Sequence, residues 1–381
     1  MDFDFAAEQP KLLMLMYGLI AFVLVVGGLL LLLDVVPAFF ARRREARLIA
    51  AATSGALPPA RPRKPAEGRF ARLLDVVPAF LARRRQARLV ARRRKPTEGL
   101  FALFFLLPTA LLLLIGLVVP AIRTTLLSFM DGHSENFVGF DNYTWMFSED
   151  SIVRVLINTL VWVLLVPLVA TSIGLLYAVM VDRARFEAVA KSLIFMPMAI
   201  SFVGASIIWK FVYAFRGAEQ DQIGLLNQIM VSLGGEPQQW LLNSPLNTLL
   251  LIVIMVWIQA GFAMVVLSAA IKAIPADIVE AARLDGVTPW QMFWQVTLPS
   301  IRPALIVVVV TITIATLKVF DIVRTATNGN YDTSVIANEM YNQAFRYGQS
   351  GHGSALAVFL FILVIPIVIY QIRNLRQQRE G

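Results

Sequence analysis

The sequence contains no cysteine, only two histidines and little charge, with Asp, Glu, Lys and Arg making up 15% of its 381 residues. Without cysteine there is no disulfide framework and no thiolate to act as nucleophile or ligand. His133 and His352 are far apart in segments predicted to be loops, so neither a metal cluster nor a Ser/His triad has support. The phosphate-cradling pattern G-x-x-x-x-G-K-[ST] is missing as well, so this chain is not expected to bind and hydrolyse ATP by itself. No Asp or Glu lies deep in an apolar run, which removes the embedded carboxylates of a self-sufficient secondary transporter.

Apolar residues are plentiful: 58% of the chain is hydrophobic and its mean hydropathy is +0.69, well above a soluble domain. A helical span needs about 17 to 25 mostly apolar residues. Seven runs qualify, at roughly 12–33, 100–122, 155–181, 192–212, 246–271, 303–322 and 354–372. The first has an acidic flank, MDFDFAAEQP, and no small-residue cleavage site, so it reads as a span and not as a cleaved signal. The fold class is therefore an all-α integral membrane protein, a polytopic helical bundle.

Charge orients the bundle. Residues 34–99 carry 17 Lys and Arg against 5 Asp and Glu, and the positive-inside rule puts such a segment in the cytoplasm. Seven spans then place the amino terminus (1–33, tail and first span) outside and the carboxyl tail RNLRQQREG inside. The net charge of +9 is explained by lipid head groups and calls for no nucleic acid. Within the basic segment LLDVVPAFFARRREARLIA (32–50) recurs as LLDVVPAFLARRRQARLVA (73–91), and RKPAEG (63–68) as RKPTEG (94–99). Two copies are too few for a solenoid. The segment reads as a duplicated linker, or as paired basic helices on the inner leaflet.

Between the fifth and sixth runs stands EAARLDGVTPWQMFWQVTLPSIRP (280–303), too polar for the bilayer and rich in helix signals. Asp277 followed by Glu280 has capping-box spacing, and Gly286 stands where a helix would end left-handed. Thr288, Pro289 and Gln291 then supply a second N-cap, first-turn proline and capping box. The expectation over 275–300 is a short helix, a glycine turn and a second short helix ending near Leu298 and Pro299. Ala281 and Ala282 keep one face slim, and Glu280 and Arg283 offer charge one turn apart.

The pattern Glu280, Ala281, Ala282, Gly286, Val296, Leu298 and Pro299, with Asp285, Phe293 and Pro303, resembles the signature loop of permease subunits of bacterial ATP-binding-cassette importers. The resemblance covers about 100–381. It implies six core spans, to which the first run adds an extra amino-terminal one, in the bacterial plasma (inner) membrane. It further implies a loop docked on an ATPase subunit, a second homologous permease, a pair of ATPase subunits that hold the ATP and Mg, and an extracytoplasmic solute-binding protein. No cofactor is implied for this subunit. The stretches 194–213, 319–345 and 354–376 look like permeases of the maltose and α-glucoside type, which implies a sugar. The same architecture could instead carry glycerol phosphate or a polyamine, but no arginine cluster lies in the runs to meet a phosphate.

A sugar needs hydrogen-bonding side chains and aromatic faces at a cavity midway through the bundle. Trp257, Gln259 and Phe262 lie within about two turns of one another, at the depth where the family's oligosaccharide contacts fall. Thr311, Ala315 and Lys318 form a stripe at i, i+4, i+7 of the next run. Gln259 could equally bond a neighbouring helix and Trp257 could be packing. Lys318 either snorkels outward or pairs with Asp321. Lys210 and Arg216, beside Trp209 and Tyr213, read as interfacial anchors.

Overall fold

A computed structural model describes the backbone of residues 96–182, 185–217 and 219–380, and the side chains of 104–182, 185–217 and 219–373. The run at 12–33 and the duplicated segment up to residue 95 lie outside the described residues. In chain order the helices are α1 (Pro96–Leu113), which passes through a π-helical turn, Leu114–Val118, into α2 (Val119–Leu127); α3 (Asp141–Ser148); α4 (Asp150–Val181); α5 (Glu187–Phe195); α6 (Phe202–Val212); α7 (Leu225–Ser232); α8 (Leu246–Lys272); α9 (Ala276–Leu284); α10 (Pro289–Met292); α11 (Leu298–Leu317); α12 (Asp321–Ala326); α13 (Ile336–Tyr341); and α14 (Ser350–Glu380). Among the described residues the chain divides between Arg123 and Thr124 into two compact units.

Among the described residues five helical stretches are long and apolar enough to cross a bilayer: Phe104–Leu127, Asp150–Val181, Leu246–Lys272, Pro289–Leu317 and Ser350–Arg373. The run at 192–212 departs from the straight span that its composition suggested. There α5, prolonged by the 3-10 turn Met196–Ala199, meets α6 at 102°. Pro197 cannot donate its amide, Ile200 and Ser201 are extended, and the Ser201 hydroxyl restarts the chain as a helix by accepting from the Gly204 amide at 3.1 Å.

Two other boundaries differ from the sequence expectation. The helix of the run at 303–322, α11, stops at Leu317 instead of running to 322, and it reaches back without a break to Pro289 through a π-helical stretch, Phe293–Thr297. The last helix starts at Ser350, so His352 belongs to it and not to a loop; its ring stacks on Trp145 with centroids 3.8 Å apart and planes 2° from parallel.

Apolar contact between spans gives little net gain where the alternative solvent is lipid, so close backbone approach and internal hydrogen bonds must hold such a bundle. Both are present from Thr124 onward. A Cβ on Gly174 of α4 would meet the Ala263 Cβ at 2.4 Å, and one on Gly261 would meet the Ile194 carbonyl oxygen at 2.6 Å. Small residues thus let α8 touch α4 on one side and α5 on another. Around these crossings Trp162, Leu251, Met255, Met264 and Ile312 are fully buried, while Met146, Leu317, Ala355 and Leu356 anchor a second cluster between α3, α11 and α14.

At the end of the bundle remote from residues 276–299, residues 327–335 form a hydrogen-bonded loop. Asn328, Gly329, Tyr331 and Asp332 all have positive φ, between 58° and 78°. Hydrogen bonds from three side chains hold it: Asn158 donates to the carbonyls of Asp332 and Ser334, Asn247 to that of Tyr331, and the Thr159 hydroxyl accepts from the Ile336 amide. Its neck is closed by a 2.6 Å contact between the Thr327 and Thr333 hydroxyls.

Candidate functional site

The signature loop is built by two helix-terminal devices in succession. α9 ends with the Gly286 amide donating to the Arg283 carbonyl at 3.0 Å and the Val287 amide to the Ala282 carbonyl at 3.3 Å, with Gly286 at φ +75°. This paired 5→2 and 6→1 arrangement closes the helix and turns the chain at once. Thr288 then caps α10: its hydroxyl accepts from the Gln291 amide, and the Gln291 side chain accepts from the Thr288 amide at 2.9 Å. The capping box expected from Asp277 and Glu280 does not form. The N-cap of α9 is Pro275 and no side chain caps it, because the helix begins two residues before Asp277 could act as a cap. The second helix is not a separate short one either; through Phe293–Thr297 it runs into α11, so Leu298 and Pro299 form the first turn of α11 inside one continuous helical stretch.

What the loop offers to water is apolar as well as charged. Leu284 is 89% exposed and Trp290 71% exposed, and the Trp290 and Trp294 rings meet edge to face at 5.5 Å. Glu280, Ala281, Asp285 and Gly286 are exposed, and Ala282 and Leu298 are half-buried. No residue of α9, α10 or the π-helical stretch is fully buried. The Glu280 side chain makes no hydrogen bond or ion pair among the described residues. Two exposed tryptophans and a leucine thus stand on this helix-turn-helix loop.

In the middle of the bundle Trp257, Gln259 and Phe262 are half-buried on α8, and Thr311 and Ala315 are half-buried on α11. Trp257 meets Trp209 of α6 edge to face at 5.8 Å, and Trp209 meets Tyr213 at 5.3 Å. Burial pushes the Tyr213 phenol up, and its hydroxyl donates to the Leu250 carbonyl at 3.1 Å. The other threonines of α11 are internally satisfied: Thr313 and Thr316 each donate 2.7 Å hydrogen bonds to the carbonyl four residues back. The side chains of Thr311 and Gln259 have no partner among the described residues, so their donors and acceptors stay open. Lys318 is exposed and caps the end of α11; it does not pair with Asp321 among the described residues. The Lys210 ammonium approaches the Thr325 carbonyl at 3.4 Å.

A charged cluster at the loop end of the bundle was not read from the sequence. Lys191 of α5 bonds to Asp182 at the end of α4, to Ser268 of α8 and, at 2.8 Å, to Glu187; Glu187 in turn pairs with Lys272, the last residue of α8. The i, i+4 spacing of Glu187 and Lys191 was the only hint of it in the sequence.

These features coincide with a known family. Residues 170–380, more than half of the chain, match the family of binding-protein-dependent transport system inner membrane components. The chain belongs to that family. It is 50% identical to the osmoprotective compounds uptake permease protein of Synechocystis sp. over 276 residues, 72% of this chain and 99% of that protein. It is 48% identical to the alpha-glucoside transport system permease protein of Rhizobium meliloti over 278 residues, 73% of this chain and 83% of that protein. A solved bacterial alginate ABC transporter, in complex with an alginate pentasaccharide-bound periplasmic protein, shares the fold with TM-score 0.63 and 24% identity over 72% of this chain and 93% of that one. The chain is thus a permease subunit of a binding-protein-dependent ABC importer, a multi-pass inner membrane protein. Such a subunit catalyses no reaction and carries no cofactor.

Proposed function

We propose that this permease moves an uncharged sugar, an α-glucoside or a related oligosaccharide, into the cytoplasm in partnership with a second, homologous permease. The observation that carries the reading is the 48% identity to an alpha-glucoside permease over 83% of its length. The open hydrogen-bonding groups of Gln259 and Thr311, with Trp257 and Phe262 as apolar faces, suit a polyhydroxylated solute: hydroxyls meet the amide and the threonine, and ring C–H faces meet the aromatics. Facing lipid, such polar groups would be unfavourable, which favours a water-filled path.

In this reading residues 34–99 and the carboxyl tail are cytoplasmic, the amino terminus and residues 327–335 are outside, and Glu280, Ala281, Ala282, Asp285, Gly286, Leu298 and Pro299 form the element that meets the ATPase. The three regions are then an outer tail with its span (1–33), a basic inner linker (34–99) and the permease core (100–381). A second reading, import of osmoprotective compounds, is favoured by the 50% identity to the Synechocystis protein. Purifying the complex with its binding protein and identifying the bound solute by mass spectrometry decides among them. A glucoside or oligosaccharide supports the first reading, and a small zwitterion, a polyamine or a phosphate ester overturns it.

A further inference from the structure

The charged cluster where α4 and α8 end and α5 begins links the signature loop to the broken span. α8 ends at Lys272, and the loop helix α9 begins four residues later at Ala276. Lys272 therefore stands at the stem of the loop. Its ammonium pairs with Glu187, the first residue of α5, and Glu187 also holds Lys191 at 2.8 Å. Lys191 continues the chain of contacts to Asp182, whose Oδ1 also accepts from the Ser268 hydroxyl at 2.6 Å. From α5 the path runs through the 102° bend to α6, and α6 carries Trp209, the ring against Trp257 of the proposed path. Close packing backs the ion pairs, since Gly261 lets the Ile194 and Phe195 backbone lie directly on α8.

The cluster is graded in exposure. The Lys272 side chain is 53% exposed, Glu187 30% and Asp182 10%. The second carboxylate oxygen of Asp182 is buried and has no hydrogen-bond partner among the described residues. A buried acceptor left open carries an unfavourable desolvation term, and a fold that served rigidity alone would be expected to satisfy it. A carboxylate with one oxygen engaged and one free can instead pass its lysine or serine partner from one oxygen to the other as helices shift. That gives the joint two arrangements without breaking the charge pairing.

We propose that Lys272, Glu187, Lys191 and Asp182 are positioning residues that carry displacement of the signature loop into the bent span α5–α6. The inference rests on the reading of that loop as the contact with the ATPase. Lys272→Met removes only the exposed link. It should leave the amount of folded complex and its basal ATP hydrolysis unchanged, while ATP consumed per solute imported rises by about five-fold or more; Lys272→Arg should behave as wild type. Because the chain has no cysteine, a Glu187→Cys, Lys272→Cys double variant can be joined with a short bifunctional thiol reagent. Uncoupled before the reaction, it should regain coupling afterwards. Wild-type coupling in Lys272→Met, or no recovery on cross-linking, overturns the joint. Gly286→Val, measured beside it, separates the two claims: if that variant is coupled normally the loop reading fails, and if it is uncoupled while Lys272→Met is normal the joint alone fails.

Discussion

Gly174 and Ala263 lie so close that a Cβ on the glycine would stand 2.4 Å from the alanine Cβ and 2.8 Å from the Met264 amide nitrogen. Neither neighbour is a flexible side-chain tip, so α4 and α8 must separate to admit any larger residue. Gly174→Val should destabilise the bundle by about 1–3 kcal/mol or more, seen as a lower unfolding midpoint and less monodisperse complex in detergent. Gly217→Ala, where nothing lies within 4 Å of the added atom, should leave both unchanged.

In the solute path, Gln259→Leu and Thr311→Val each remove an unpaired polar group and leave the fold's own hydrogen bonds intact. Each should weaken uptake by roughly two- to ten-fold, the equivalent of a net hydrogen bond of about 0.5–1.5 kcal/mol, with assembly and basal ATP hydrolysis preserved. Initial uptake rates in proteoliposomes check this, and unchanged kinetics in both variants would remove these residues from the path. Thr313→Val, whose hydroxyl already bonds to Val309, serves as the control.

Asp131 ties an exposed turn together by accepting from the Glu135 amide at 2.9 Å and the Asn136 side chain at 2.8 Å. The backbone hydrogen bond from Glu135, followed by that side-chain bond, holds its carboxyl below the ordinary value of 3.8. A depressed carboxylate contributes stability that is present above its unfolded pKa and lost as pH falls through the lower folded one. Amide exchange of residues 131–138 should therefore be steady from neutral pH down to about 4 and accelerate only below it, beyond the ordinary pH dependence of exchange. Asp131→Asn should show fast exchange at neutral pH. Equal protection in the variant would remove the carboxylate from the turn's support.

Much of the loop was legible in the sequence because its devices are local. Gly286, Thr288, Pro289 and Gln291 act on their own neighbours, and each does what its residue type does in a turn or cap. Asp277 and Glu280 matched a capping box equally well, yet Pro275 set the helix start earlier. The break at Ile200–Ser201 was hidden because length and apolarity, the only terms used to find the run at 192–212, do not register Pro197 and Ser201 as a stop and a start. The charged cluster was invisible for another reason: Asp182, Ser268 and Lys272 are brought together by helix crossings that Gly174 and Gly261 permit, and no spacing along the chain records a crossing.

The topology in which residues 34–99 face the cytoplasm has a direct check. A phosphatase reporter, active only outside the cytoplasm, fused after Gly55 should be inactive, and a cytoplasm-dependent fluorescent reporter at the same site should be bright. The reverse pattern would invert the whole orientation, including the face given to the signature loop.

The central claim is that residues 280–299 pass the work of ATP hydrolysis to the spans, and Gly286 tests it most directly. Its φ of +75° is unfavourable to any side chain, yet no atom lies within 4 Å of the position a Cβ would take, so valine there strains the turn by about 1–2 kcal/mol without a clash. Among the described residues the Glu280 side chain has no partner whose loss would unfold the chain. The decisive measurement is uptake, together with ATP hydrolysis stimulated by the binding protein, per folded complex in proteoliposomes carrying Gly286→Val or Glu280→Lys. Both variants should assemble and keep basal hydrolysis, but lose stimulation and uptake. Wild-type uptake per folded complex in both would show that this loop does not couple ATP hydrolysis to transport.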